Sequence, residues 1–352
     1  MLRIYKKMTM IAVLVVIALV LAMPAAAMEF SVNADLPENQ RQNGSLFFDL
    51  LVYPGQEQEI EIVISNTSDA DIVVLVETIA ASTNRNGQIN YTSREPRDES
   101  LKFSFEDIAK IPESNYVVPA ESSIRVPISL TIPNEPFEGA ILGSIRVLRE
   151  ATQEERDAAG AIVNQFANVT AVRLVQSEAA ENIPADFTLA GLSATLVNYK
   201  ASIVANIRNP QPIIIKGASA NAVVYPLGSE KAIFEQSIET LDFAPNSTFP
   251  LSFIDREGYG IEAGDYKAVI EIRYKGQAWN FEQDFTIEPQ VAETINDGAL
   301  NQTGQVRPGT EAAGMGGVPI WAVIAIAVGA AILTAIIALM IMIARRRPLG
   351  AH

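Results

Sequence analysis

The chain has no cysteine, and its single histidine is His352, the last residue. The first absence excludes a disulfide scaffold, a thiol nucleophile and any Cys-ligated zinc or iron–sulfur site. The second removes the side chain that most often serves as general base or metal ligand, which argues against a histidine triad or a His-ligated metal. Basic residues are scarce too. Lys and Arg number 26 against 41 Asp and Glu, a formal net charge of −15. Phosphate backbones demand a basic face, so this balance argues against nucleic acid. Hydrophobic residues make up 49% of the chain, far above a disordered composition.

Two segments inflate that fraction. Near the N-terminus Arg3, Lys6 and Lys7 precede an apolar stretch over 8–22 and the small residues Ala25, Ala26 and Ala27. This order reads as a secretory signal peptide cut after Ala27, with an uncleaved anchor helix as the alternative. At the other end, residues 320–343 are apolar and uncharged. As a helix they would extend about 36 Å, enough for a hydrocarbon core of about 30 Å. Arg345, Arg346 and Arg347 follow and place that end in the cytoplasm, leaving everything before the run outside the cell membrane. The stretch before it, EAAGMGGVP, contains no LPxTG-type sorting signal, so the expectation is a retained single-pass anchor. With the basic ends set aside, the exterior part carries a net charge of about −21.

The exterior patterning has period two. Ile60, Ile62 and Ile64 alternate with Glu59, Glu61 and Val63, and Ile124, Val126, Ile128 and Leu130 alternate with Arg125, Pro127 and Ser129. Such alternation predicts half-buried strands, and Pro127 predicts an edge. Residues 71–81, 139–148 and 167–177 read as further strands, more continuously apolar. Seven more are predicted over 186–197, 201–208, 213–225, 232–243, 247–254, 266–274 and 278–287. Turn residues such as Pro54-Gly55, Asn66 to Asp69 and Asn86-Gly87 separate the runs. The expected fold class is therefore all-β, with two tandem immunoglobulin-like β-sandwiches plus one C-terminal transmembrane helix. The expected organisation is a signal peptide (1–27), a first sandwich (28–180), a second sandwich (181–288), a flexible stalk (289–318), the transmembrane helix (319–344) and a basic cytoplasmic tail (345–352). Ser104 and Thr152 each open a capping-box pattern. The acidic insertion at 150–164 is either a helix or a mobile flap.

Catalysis would have to rest on carboxylates, hydroxyls or lysine. Asp35 with Glu38, or Glu106 with Asp107, could serve a glycosidase, but solvated strand faces account for such pairs equally well. No P-loop or nucleophile elbow is present. Residues 66–71 lack the glycine and terminal glutamate of a calcium loop and read as an Asx-type hairpin turn. No cofactor and no enzyme activity are expected. Binding remains, with Phe47, Phe48, Tyr53, Tyr91 and Trp279 as candidate platforms or core residues.

The N-terminal half carries Leu36-Pro37-Glu38-Asn39-Gln40, Phe47-Phe48-Asp49-Leu50, Pro54-Gly55-Gln56, residues 64–69 (ISNTSD), residues 83–91 (TNRNGQINY) and residues 137–143 (FEGAILG). The C-terminal half carries Asn198-Tyr199, residues 206–210 (NIRNP), residues 244–249 (APNSTF), residues 263–266 (AGDY) and Trp279-Asn280-Phe281. In this order they resemble the WxL-interacting cell-surface proteins of Gram-positive bacteria. Ser144 and Ala171 stand where that pattern favours glycine. The resemblance implies a peptidoglycan-binding first domain, a host- or partner-binding second domain, and peptidoglycan, a WxL-domain protein and a host extracellular protein as partners. The ligand-binding candidates are Glu38, Asn39, Gln40, Phe47, Tyr53, Tyr91 and Trp279. The implied role is a membrane-anchored adaptor or adhesin. The first domain also resembles pilus-chaperone domains, which leaves a surface assembly chaperone acting by strand complementation as the alternative.

Overall fold

A computed structural model describes residues 30–159, 165–255 and 260–303. The signal peptide, the transmembrane run and Arg345, Arg346 and Arg347 lie outside these residues. None of the described helices is long and apolar enough to cross a membrane.

The first sandwich contains β1 (Phe30–Asp35), β2 (Phe48–Leu51), β3 (Glu57–Asn66), β4 (Ile72–Ala80), β5 (Ser82–Thr83), β6 (Ile89–Asn90), β7 (Ala109–Lys110), β8 (Asn115–Val118), β9 (Ser123–Thr131), β10 (Ala140–Arg149) and β11 (Ala167–Val175). One sheet runs β1-β3-β9-β7 and the facing sheet β2-β11-β10-β4-β8, with β5 and β6 paired as a separate ribbon. Register explains the alternation: Ile60 lies opposite Ile128 and Ile62 opposite Val126, so both strands turn their apolar sets to one core. These four and Phe48, Leu50, Val74, Ile145, Val172 and Leu174 are buried together, each side chain contributing about 1.5–3 kcal/mol by leaving water. β9 is not at the end of its sheet, contrary to the expectation from Pro127. β7 reaches only Ser129 and Leu130, however, so Pro127 meets a strand on one side only and its missing N–H is tolerated.

Asn66 ends β3 inside the protein. Its side-chain nitrogen donates to the carbonyls of Ala70 (2.7 Å) and Val118 (3.1 Å), and its oxygen accepts from the Ser68 backbone (2.9 Å). The stretch 66–71 is thus a self-bonded Asx turn, as its composition predicts. Asn209 repeats the device in the second sandwich, donating to Ile213 and Ala244 (both 2.9 Å) and accepting from the Gln211 backbone (3.1 Å).

Ser104 precedes a single helical turn, α1 (Phe105–Ile108), but makes no side-chain cap. The short turn is held instead by Phe105 and Ile108, both buried. Thr152 does cap α2 (Gln153–Ala159). The Glu155 backbone donates to the Thr152 hydroxyl (3.2 Å), and the Thr152 backbone donates to the Glu155 carboxylate (2.7 Å). Arg149 grips the same carboxylate with both terminal nitrogens. The Arg149 and Thr152 hydrogen bonds lower the Glu155 carboxyl to about 2. The start of the acidic insertion is therefore helix.

The second sandwich contains β12 (Thr188–Val197), β13 (Lys200–Asn209), β14 (Ile215–Pro226), β15 (Phe234–Phe243), β16 (Ser247–Ile254), β17 (Gly264–Tyr274) and β18 (Gln277–Ile287), all within a few residues of the seven predicted. Its sheets run β12-β13-β16 and β15-β14-β17-β18. Ile203, Ile207, Phe243, Phe249, Leu251 and Ile270 sit in its core. The stalk predicted from residue 289 is corrected in its first half, where α3 (Pro289–Thr303) forms. Proline suits the first helical position. Ala292 and Ile295, three residues apart on one face, are buried against the sandwich core. Asn296 fixes them further, exchanging two 2.9 Å hydrogen bonds with the Ile261 backbone. The polar composition of 289–303 conceals this short apolar face.

Candidate functional site

The β5–β6 ribbon is wedged between the two sandwiches. The Thr83 hydroxyl lies 2.6 Å from that of Ser247 and accepts from the Ala244 backbone at 3.0 Å. The Asp242 backbone donates to Gly87 (2.8 Å), and that of Ala140 to Pro212 (2.7 Å). Gly87 has φ +69°, and a Cβ there would lie 2.1 Å from Leu241, so the wedge tip needs glycine on both counts. Asp98 adds a polar clasp, accepting from Ser100 of its own loop and from Thr248 (2.5 Å) and Arg208 (3.1 Å) of the second sandwich. Ala81, Leu142 and Ala244 close a small apolar cluster beside it.

Clefts of about 1010 and 950 Å³ open beside the wedge. The larger is lined by Phe47, Tyr91 and Arg173 of the first sandwich and by Lys216, Tyr274 and Lys275 of the second. Arg173 is held from behind. It lies opposite Asp49 in the parallel β2–β11 register and grips both carboxylate oxygens, its Nε at 2.8 Å. The Asp49 side chain has no exposed surface. Asn43 also donates to it, and Arg41 lies at 3.4 Å. Burial alone would raise the Asp49 carboxyl. The Arg173 and Asn43 hydrogen bonds, with the charges of Arg173 and Arg41, outweigh burial and hold it below its ordinary value. Arg173 and Arg41 reach on to Glu181 and Glu178 (2.7 and 2.9 Å), clamping the segment that leads into the second sandwich.

Among the predicted residues, Phe47 and Tyr91 meet in this cleft. Phe47 keeps 36% of its surface exposed. Burial pushes the Tyr91 hydroxyl up, with Arg173 nearby countering it. Ser144 and Ala171, the two departures from the resembled pattern, are cross-strand partners beneath Tyr91, and the Ser144 hydroxyl donates to the Tyr91 carbonyl (2.7 Å). Gln40 is a supporting residue. It donates to the Phe47 carbonyl and accepts from the Asp49 backbone (both 3.0 Å). Asn39 forms a reciprocal amide pair with Gln58 at 2.9 and 2.8 Å, while Glu38 is exposed. Tyr53 is 65% exposed and does not line the cleft. Trp279 is packed edge-on to Phe187 with centroids 5.0 Å apart, and its Nε1 donates to Asp186 (3.2 Å). Its ring is thus engaged at the flank of the second core.

Three of the four acids in the predicted carboxylate pairs are held by arginines. Asp35 pairs with Arg125, Glu106 with Arg94 and Asp107 with Arg97. Among the described residues no group of three or more His, Asp or Glu could hold a metal ion. The arrangement can bind, with two aromatic walls and a set of cations across a cleft.

The Asp49 and Asp98 shifts carry a pH dependence. For Asp98, too, burial alone would raise the carboxyl. Hydrogen bonds from Thr248 and Ser100 and the charge of Arg208 win, and it is lowered. A depressed carboxyl contributes stability above its unfolded value and loses it as pH falls through the folded value. The chain is therefore expected to hold its urea midpoint from neutrality down to about pH 5 and to lose it steeply below about pH 4. Urea titrations across that range check this, and an unchanged midpoint at about pH 3 refutes it.

Two family models match the chain in order. WxL Interacting Protein, peptidoglycan binding domain, matches residues 30–149. WxL Interacting Protein, host binding domain, matches residues 157–297. No curated protein matches. Similar solved structures include the Salmonella enterica SafA pilin in complex with the SafB chaperone (13% identity, 74% of this chain and 99% of that one, TM-score 0.30). The CupB2 chaperone of Pseudomonas aeruginosa is also similar (15% identity, 66% of this chain and 95% of that one, TM-score 0.28). The two matches in sequence, each on a binding domain, identify the chain as a member of the WxL-interacting protein family.

Proposed function

We propose that the chain is a membrane-anchored cell-surface adaptor of two immunoglobulin-like sandwiches. The first holds peptidoglycan, and the second holds a WxL-domain protein or a host extracellular protein. The ordered match of the two binding-domain families to the chain carries this reading. In it, residues 1–27 are removed on secretion, 320–343 anchor the chain, and Arg345, Arg346 and Arg347 keep the tail inside.

Purified full-length chain is expected to co-sediment with peptidoglycan sacculi. Recovery no greater than that of an unrelated β-sandwich protein sinks the peptidoglycan half of the reading. Crosslinking on the cell surface followed by pull-down tests the other half, with a WxL-domain or host protein as the expected catch.

A further inference from the structure

We propose that the cleft between the two sandwiches binds a short peptide bearing a free carboxylate, of the kind that projects from a peptidoglycan strand. The proposal rests on the peptidoglycan reading and deepens it, since it selects the peptide over the glycan and makes the second sandwich part of the wall site.

The cations carry the inference. The chain has far more acids than bases, and Arg94, Arg125, Arg146 and Arg208 each hold a carboxylate, whereas among the described lysines only Lys102 and Lys267 do. Lys216 and Lys275 are exposed in the cleft, and neither has a carboxylate partner among the described residues. Lys275 is held in place by its own turn. Its φ is +47° and that of Gly276 is +80°, a two-residue hairpin connection between β17 and β18. Its ammonium lies 5.1 Å from the centre of the Tyr274 ring. Of the acids lining the cleft, Glu181 is paired with Arg173, while Asp242 accepts from the Gly217 backbone at 2.9 Å and keeps its charge. Two exposed ammonium groups, neither of them ion-paired, and this one carboxylate face a space bounded by Tyr91, Tyr274 and Phe47.

That combination selects the ligand. A neutral glycan needs a ring platform and hydroxyl partners, but no cation. A long polyanion would be repelled by the net charge of the whole chain. A short peptide with one or two carboxylates meets the local positive charge without that penalty, and its aliphatic side chains fill the aromatic walls. A volume of about 1010 Å³ accommodates several residues.

The test uses the purified full-length chain and three soluble wall fragments: a disaccharide with its stem peptide, the same fragment with its carboxylates amidated, and peptide-free glycan. Calorimetric titration is expected to show binding of the first and a loss of about tenfold or more for the second. The double variant Lys216→Gln/Lys275→Asn should reproduce that loss on the first fragment. Asparagine tolerates the left-handed turn at 275, and an unchanged thermal midpoint shows that the fold is intact. Equal binding of acid and amide, wild-type affinity in the double variant, or affinity carried wholly by the glycan overturns the proposal. If the chain still sediments with sacculi in any of those cases, the peptidoglycan reading stands and only the cleft assignment falls.

Discussion

Asp49→Ala is expected to destabilise the first sandwich by about 3–5 kcal/mol, the usual result of removing one partner of a buried ion pair. The size follows from what is left behind. Arg173 and Arg41 are largely buried, with 13% and 11% of their side-chain surfaces exposed. Without Asp49 their remaining carboxylates are Glu181 and Glu178, both mostly in solvent. Asp49→Asn keeps the shape and part of the hydrogen bonding, so it should cost about half as much. Urea unfolding with unchanged slope and lowered midpoint is the expected signature. A loss below about 1 kcal/mol would mean that water reaches Arg173 and that the clamp on residues 177–185 is ornamental. Asp49→Ala should also flatten part of the acid-induced loss of stability, because one of the depressed carboxyls is gone.

The second large effect couples a glycine to a phenylalanine. Gly143 lies in the middle of β10, where glycine is ordinarily a cost. A Cβ at 143 would lie 2.2 Å from the Phe105 ring, and Phe105 is fully buried. The β10 backbone is therefore seated directly on that ring. Phe105→Ala should cost about 3–5 kcal/mol through the cavity it opens, and Gly143→Ala about 2–3 kcal/mol through overpacking. The double variant decides the matter. With the ring gone the closest clash is relieved, but the Cβ of residue 105, 2.6 Å from the added methyl, remains, so Gly143→Ala should cost clearly less in the Phe105→Ala background than in the wild type without becoming neutral. Additive losses would show that Gly143 is required for a reason other than the ring.

The strands were legible because their signal is local. Alternation at Ile60, Ile62 and Ile64 needs no knowledge of the partner strand, and the seven strands of the second sandwich are bounded by their own turns. β2 escaped because a four-residue run with no alternation, Phe48–Leu51, reads only as a motif. The edge expected at Pro127 was half right, since the decisive fact is that β7 is two residues long. α3 was hidden because only Ala292 and Ile295 bury, in a segment otherwise rich in polar residues. The site was legible to the extent that it lies in one half of the chain. Phe47 and Tyr91 were named from their motifs. Lys216, Tyr274 and Lys275 carry no signal in isolation and become neighbours of Tyr91 only through the wedge between the sandwiches. Asp49 was visible as part of a motif, but its two arginines come from opposite ends of the first sandwich's sequence.

β11 has a consequence for how the molecule is made. It follows the acidic insertion in sequence, yet it lies between β2 and β10 in the first sandwich's five-stranded sheet. A chain emerging N-terminus first cannot close that sheet when Arg149 appears. It must wait for Val175, with Phe48 and Leu50 deprived of the strand that joins β2 to the sheet. The match to the second binding domain begins at residue 157, so a cut placed between the two matched segments would divide one folding unit rather than separate two. A fragment ending at Arg149 should be recovered as an open, aggregating sheet, whereas one carried through the clamped segment to Pro184 keeps every strand of its own core.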